Sequence, residues 1–266
     1  MSRPWIRSYD KGVPATIDTE AYPSVVALLE NAAKRFADLP AFECFGAQMT
    51  YAQLDEKSRA VAAYLQTKMG VKRGDRVALM CPNIFAFPVA MMGILRAGAT
   101  QVNVNPLYTP RELSHQLNDA GVETIMLFSG STPTLAAILV DTPIKTVVTI
   151  DLGDAMGLPM PTPTVDANIP NPIRFADVLA EGEKMDFNPV DLTGDDTLFF
   201  QYTGGTTGLS KGAVLTHRNL IANSEQFRAY LPDASEPGKE IVVGALPLYH
   251  IFGLTLSLVY LAIGAK

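Results

Sequence analysis

The chain of 266 residues is long enough for one large domain or two ordinary ones. Apolar residues make up 48% and charged residues 18%, a balance that is typical of globular proteins and excludes a disordered one. The net charge of −6, with no basic stripe, argues against a nucleic-acid-binding protein. Two separated cysteines and three scattered histidines form no zinc pattern, and they favour a reduced, cytoplasmic protein.

The first 150 residues alternate between predicted strands and helices. Helices are predicted over 25–36, 50–68, 84–97, 110–120 and 133–140, and strands over 41–45, 47–50, 76–80, 100–105, 122–128 and 145–150. Capping boxes, in which a threonine precedes a glutamine or glutamate by three residues, mark two helix starts at Thr50–Gln53 and Thr109–Glu112. Strands separated by helices predict an α/β fold with a mainly parallel sheet flanked by helices.

Five prolines interrupt this alternation between residues 153 and 172, where they predict an irregular surface loop. A short helix over 174–182 and a polar connector follow. We therefore predict a first α/β subdomain over 1–185 and the start of a second over 186–266. The apolar runs 84–95 and 251–265 are shorter than the ~20 residues that cross a bilayer, which predicts buried helices.

The second part contains the stretch 202-YTGGTTGLSKG-212, flanked by predicted strands over 197–202 and 213–216 and followed by a predicted helix over 218–230. Glycines let backbone N–H groups approach a ligand, hydroxyl groups donate to anionic oxygens, and a lysine adds positive charge. The strand–loop–strand thus suits a polyphosphate, although the same composition also fits a flexible surface loop without a ligand. It is not the P-loop of common NTPases, because Ser210 precedes Lys211 and Gly212 follows it.

The stretch YTGGTTGLSKG resembles the phosphate loop of acyl-adenylate-forming ligases, and 247-PLYHIFGL-254 resembles a second motif of that family. Together with 49-MTYAQLDEKSRAVAAYL-65, 74-GDRVALMCPN-83 and 103-NVNPLYTPREL-113, they are most similar to bacterial long-chain fatty acid–CoA ligases. The resemblance implies part of a larger adenylating domain. It also implies that a fatty acid reacts with ATP to give an acyl-adenylate, which then transfers its acyl group to coenzyme A.

The resemblance also assigns roles to individual residues. It implies that the β- and γ-phosphates of ATP bind at Tyr202, Thr203, Gly204, Gly205, Thr206, Thr207, Gly208, Ser210, Lys211 and Gly212. It implies that the acyl pocket is lined by Tyr249, His250, Phe252 and Gly253. A packed histidine is the alternative interpretation of His250. We predict purely structural roles for His115 and His217.

The later family motifs that bind adenine, ribose and Mg²⁺, and the carboxy-terminal lysine, have no counterpart in residues 1–266. The resemblance thus implies that this chain is the amino-terminal part of a parent protein about twice as long. It also implies that the chain alone is inactive and contains no metal ligands. A homodimeric parent and weak peripheral contact with the inner membrane are compatible with it. A nucleotide-binding module without catalysis, a non-functional folded fragment, and another acyl or aryl acid–CoA ligase or adenylation domain stay as alternatives.

Overall fold

A computed structural model describes residues 3–204, 209–230 and 235–266. Its eight α-helices within those ranges are α1 (Val25–Arg35), α2 (Tyr51–Thr67), α3 (Ala86–Arg96), α4 (Pro110–Ala120), α5 (Thr132–Ala136), α6 (Phe175–Gly182), α7 (His217–Tyr230) and α8 (Ile251–Ala262). Its nine strands are β1 (Pro40–Cys44), β2 (Ala47–Thr50), β3 (Arg76–Met80), β4 (Thr100–Asn103), β5 (Thr124–Phe128), β6 (Thr146–Ile150), β7 (Ile173–Arg174), β8 (Thr197–Thr203) and β9 (Lys211–Thr216).

Seven strands form one sheet in the order β7-β6-β5-β3-β4-β8-β9, and β1 with β2 forms a separate hairpin. All neighbours in the sheet are parallel except β8 and β9, which are antiparallel. The predicted mainly parallel α/β architecture is therefore confirmed. The division at residue 186 stays a prediction, which a folding study of residues 1–185 would test.

Side chains alternate between two cores, one on each face of the sheet. In β3, Val77 and Leu79 belong to the core with α1, α2, α3, α6 and α8, whereas Ala78 and Met80 belong to the core with α4 and α5. This alternation follows from the two-residue period of a strand. Because both faces are covered by helices, strands β3 and β5 are apolar along most of their length, and the free ends of the strands are left as the natural place for a ligand.

Both predicted capping boxes are present. The Thr50 and Thr109 side chains accept from the third helical N–H group, and Gln53 and Glu112 bond back to the cap residues. Local hydrogen bonding fixes these two helix starts.

Helix ends are less well predicted. The helix expected over 133–140 ends at Ala136, because the N–H of Ile138 bonds to Leu135 three residues back and a 3₁₀ turn over Leu139–Asp141 follows. Residues 153–172 form no helix or strand, although Gly153, Ala155 and Ile169 are buried there.

The two long apolar segments differ in burial. Every residue of α3 is buried, whereas α8 buries only one side and leaves Phe252 62% exposed. The expectation of a buried helix thus holds in full for α3 and in part for α8. Within the described ranges, no helix combines the length and apolar character that a bilayer crossing requires.

His217, the first residue of α7, is buried and connects that helix to α1. Its Nδ1 accepts a hydrogen bond of 3.1 Å from the backbone N–H of Val25 at the start of α1. Burial lowers the pKa of His217 from its ordinary value of 6.5 to about 4, and the nearby Asp196 carboxylate opposes this only in part. The neutral ring is therefore part of the folded structure, which agrees with a structural role.

We expect the free energy of unfolding to fall by about 2 kcal/mol between pH 7 and pH 5 through His217 alone. The unfolded chain binds this proton near pH 6.5, whereas the folded chain resists it down to about pH 4. Stability is therefore lost as the pH falls through this window. The variant His217→Asn keeps an acceptor for Val25 without titrating, and its urea denaturation curves should depend less on pH. Equal pH dependence of both proteins would contradict this assignment.

Candidate functional site

The carboxyl ends of three neighbouring parallel strands meet at one edge of the sheet. β3 lies beside β4, and β4 lies beside β8, with Gln101 paired to Phe199 and Asn103 paired to Gln201. The segments that leave this edge begin after Met80, after Asn103 and after Thr203. In open α/β sheets, ligands bind at such an edge. The glycine-rich loop therefore begins at the place where the fold offers a binding crevice.

The predicted strand–loop–strand is present. β8 and β9 pair from Thr197 with Thr216 to Thr203 with Lys211, and the loop leaves the sheet at this last pair. Gly204 is exposed and Ser210 is half-buried. Four of the ten predicted phosphate ligands, Gly205, Thr206, Thr207 and Gly208, lie outside the described residues.

Tyr202 and Gly212 form the next pair below the loop. A Cβ at Gly212 would lie 3.0 Å from the Tyr202 ring, so the glycine makes room for the ring to lie across the hairpin. The Tyr202 hydroxyl donates to Asp119 Oδ2 at 2.5 Å. Burial, and next this hydrogen bond to a carboxylate, raise the pKa of Tyr202. Tyr202 is thus a protonated, buried support of the loop, and its hydroxyl is already engaged.

Thr203 and Lys211 are both exposed where the loop meets the sheet. A hydroxyl group and an ammonium group at the two ends of one loop can donate to the same anion. The geometry of the described part is therefore compatible with phosphate binding at this edge.

The second motif forms the start of α8. His250 is exposed and caps the helix, its Nδ1 accepting a hydrogen bond of 3.3 Å from the N–H of Phe252. Gly253 is buried, and a Cβ there would lie only 2.5 Å from the carbonyl oxygen of Pro247. His250 and Gly253 thus have structural roles in forming this turn, and any contact with substrate comes in addition.

An apolar groove of about 430 Å³ lies between α7 and α8. Its walls include Leu215, Leu220, Phe227, Phe252 and Val259. The volume of this groove is in the range of small-molecule sites, and its lining is apolar like theirs. Phe252 of the second motif therefore borders a space that suits an apolar ligand.

A row of buried amide side chains joins the two motifs. Asn103 Nδ2 donates to Gln201 Oε1 at 3.0 Å, and Gln201 Nε2 donates to the Tyr249 carbonyl oxygen at 3.4 Å. Gln201 immediately precedes Tyr202 of the loop. Two segments almost 50 residues apart in sequence are thus placed side by side at the sheet edge. Amides in otherwise apolar strands are the sequence signal for this row.

Asn83, which follows β3, holds the segment before the second motif. Its Nδ2 donates to the carbonyl oxygens of Gly244 at 3.1 Å and Leu246 at 2.8 Å, and its Oδ1 accepts from the N–H of Leu248 at 2.9 Å. One side chain thereby fixes three backbone groups. Sequence reasoning gave Asn83 no role, because its partners are more than 160 residues away.

We expect Asn83→Ala to lower the free energy of unfolding by about 1–3 kcal/mol, since it removes three hydrogen bonds to backbone groups. Chemical denaturation measures the change. Asn188→Ala is a suitable comparison because the Asn188 side chain is exposed and its backbone makes the contact with Gln66. If the two variants lose equal stability, Asn83 does not fix this segment.

α4 contacts both ends of the loop. His115 Nε2 lies 2.8 Å from the carbonyl oxygen of Ser210, and the His115 ring meets the Tyr202 ring edge-on at 6.4 Å between centroids. Asp119, one turn further along, accepts from Tyr202. The prediction for His115 named no partner. The spacing of four residues between His115 and Asp119 places both on one helix face, which was the available signal.

Across the ranges 3–204, 209–230 and 235–266, no three Asp, Glu, His or Cys side chains are grouped so that they could hold a metal ion. We therefore assign no metal ligand among the described residues.

Comparison with known proteins identifies the family to which this chain belongs. A family model described as AMP-binding enzyme matches residues 29–266. Proteins named long-chain-fatty-acid–CoA ligase from Salmonella typhimurium and Yersinia pestis are 46% and 44% identical, and each alignment covers 100% of this chain and 50% of the relative. The chain thus spans about half the length of these relatives.

A solved structure, a long-chain-fatty-acid-CoA ligase from Archaeoglobus fulgidus, superimposes with a TM-score of 0.77 at 25% identity. The match covers 97% of this chain and 48% of that structure. Fold, sheet-edge loop and the extent of the family match lead to the same conclusion: the chain belongs to the AMP-binding enzyme family.

Proposed function

We propose that the complete gene product containing these residues is an AMP-forming long-chain fatty acid–CoA ligase. In the first step, a carboxylate oxygen of the fatty acid attacks the α-phosphorus of ATP, and pyrophosphate leaves. In the second step, the sulfur of coenzyme A attacks the acyl carbon, and AMP leaves with the bonding electron pair. The products are an acyl thioester, AMP and pyrophosphate.

The observation that carries this proposal is the contact between Gln201 and Tyr249. It brings the hydroxyl- and glycine-rich loop, which suits a polyphosphate, next to a segment that borders an apolar groove. Adenylation requires an anionic nucleotide and an apolar acid at one place. The start of α8 lies between the loop and the groove, because Tyr249 contacts Gln201 and Phe252 borders the groove.

We assign the ATP phosphates to the loop from Tyr202 to Gly212, with Lys211 as its charged residue. Bringing a carboxylate to a polyphosphate concentrates negative charge, so preorganised donors and cations are the main contribution that the protein can make. Thr203 and Lys211 flank the loop where these donors are needed. We also propose that Mg²⁺ accompanies the ATP phosphates at this loop.

We assign the acyl group to the surface formed by Tyr249, His250, Phe252 and Gly253 and the groove between α7 and α8. The groove has far more apolar than polar lining, which favours an aliphatic or aromatic acid over a charged one. The long-chain preference rests on the names of the relatives. We also propose a cytoplasmic enzyme that meets the inner membrane only transiently, which flotation with vesicles would test, and a homodimer, which light scattering would test.

The decisive experiment measures AMP release by the complete gene product with ATP, coenzyme A and fatty acids of increasing chain length. We expect AMP and acyl-CoA in equal amounts, with long-chain acids preferred. ATP binding without AMP release for any acid would indicate a nucleotide-binding module. A preference for short or aromatic acids would identify another acid–CoA ligase.

A further inference from the structure

The helix α4 holds the two ends of the phosphate loop, and no assigned motif accounts for this. Tyr202 enters the loop and Ser210 leaves it, eight residues apart. Asp119 binds the Tyr202 hydroxyl, and His115 binds the Ser210 carbonyl oxygen. Because His115 and Asp119 are one turn apart, a single rigid helix face contacts both ends.

The direction of the hydrogen bond at Ser210 is fixed by chemistry. A carbonyl oxygen can only accept, so His115 Nε2 must carry the proton and donate. The ring is half-buried and is also held by its edge-on contact with Tyr202. His115 therefore has a defined orientation with Nε2 as donor, and its partner is the residue that directly precedes Lys211.

The orientation of the Ser210 carbonyl group matters because it constrains the backbone position of the next residue, Lys211. The carbonyl carbon of Ser210 is bonded to the nitrogen of Lys211, so a hydrogen bond that fixes this peptide plane limits where Lys211 can point. Lys211 itself is exposed, and it starts β9 by pairing with Thr203. A small rotation at Ser210 would move the ammonium group away from an anion at the loop.

We infer that His115 is a positioning residue for ATP: through Ser210 it orients the end of the phosphate loop and thereby Lys211, while Asp119 fixes the other end through Tyr202. This inference rests on the proposed function of the loop. His115 does not touch the nucleotide. Its replacement should therefore weaken the binding of ATP and slow the first half-reaction. The binding of the fatty acid and of coenzyme A should be unchanged.

The test compares three variants of the complete gene product by ATP–pyrophosphate exchange. His115→Leu removes the donor, and we expect the KM for ATP to rise roughly 2- to 10-fold, the factor that one hydrogen bond provides. His115→Gln can place an amide N–H near the position of Nε2 and should recover most of this loss. Asn118→Ala removes a side-chain bond from the same helix to Asp141, away from the loop, and should leave the KM for ATP unchanged.

The melting temperature and the KM for the fatty acid distinguish a positioning role of His115 from a general loss of folded structure in the variant. The inference predicts that His115→Leu changes the KM for ATP much more than the KM for the fatty acid, with a melting temperature close to that of His115→Gln. An unchanged KM for ATP, or equal loss in the Leu and Gln variants, would overturn it. Absence of exchange in the unmodified protein would instead overturn the proposed function, so the two failures are distinguishable.

Discussion

Lys211→Ala is expected to lower the rate of ATP–pyrophosphate exchange by the complete gene product about 10- to 150-fold. Lys211 is exposed at the carboxyl-terminal end of the phosphate loop, opposite Thr203, where it can make a charge-assisted hydrogen bond to a phosphate. Such a bond contributes roughly 1.5–3 kcal/mol, which corresponds to this range of rates. Positive charge is needed most while the carboxylate approaches the nucleotide.

The second half-reaction offers an internal control for this variant. Pyrophosphate has left before coenzyme A attacks, so thioester formation from a supplied acyl-adenylate should be far less affected by Lys211→Ala. Lys145→Ala is the matched surface control, because Lys145 is also exposed and its partner Glu123 lies at the opposite edge of the sheet. Unchanged exchange in Lys211→Ala would show that the loop does not bind the phosphates through this residue.

Asp55→Ala is expected to lower the free energy of unfolding by about 3–5 kcal/mol, because it leaves a buried charge without its main partner. Arg96, at the end of α3, is only 1% exposed and contacts the Asp55 side chain, the Asp55 carbonyl oxygen and the Ser58 hydroxyl. Glu30 is a more distant second carboxylate at 3.3 Å. Burial lowers the pKa of Arg96, and Asp55 opposes that effect.

The double variant Asp55→Ala/Arg96→Met distinguishes this cause from simple loss of packing. It removes the buried charge along with its partner, and we expect it to recover most of the stability lost in Asp55→Ala. Arg59→Ala serves as the comparison, since the Arg59 pair with Asp55 is partly exposed and should contribute less than about 1 kcal/mol. Urea denaturation of the four proteins measures these differences. No recovery in the double variant would contradict a buried-charge explanation.

Local sequence patterns determined much of this protein. The capping boxes at Thr50 and Thr109 were predictable because their hydrogen bonds join residues only three apart. The alternation of helices and strands predicted a parallel sheet, because parallel strands need long crossovers. The strand–loop–strand was predictable, since the glycine- and hydroxyl-rich stretch lies between two runs of strand-forming residues.

Helix ends and side-chain burial were less accessible to sequence reasoning. The end of α5 depends on a switch to 3₁₀ hydrogen bonds at Ile138, and no residue type in that stretch requires it. The burial of Arg96 was equally difficult to predict from the sequence, because an arginine at a helix end is usually exposed. Its burial depends on α2 and α1 packing over α3 and supplying the carboxylates of Asp55 and Glu30.

The sequence by itself therefore determined most of the helices and strands, the mainly parallel sheet and the loop chemistry that suits a phosphate. Only the tertiary structure showed that Gln201 meets Tyr249, that Asn83 fixes the segment before α8, and that His115 holds Ser210. The physical reason is distance along the chain. Periodicity and capping depend on neighbours within one or two turns, whereas these contacts join residues about 50 to 165 positions apart, and they exist only because strand order brings the carboxyl ends of β3, β4 and β8 to one edge.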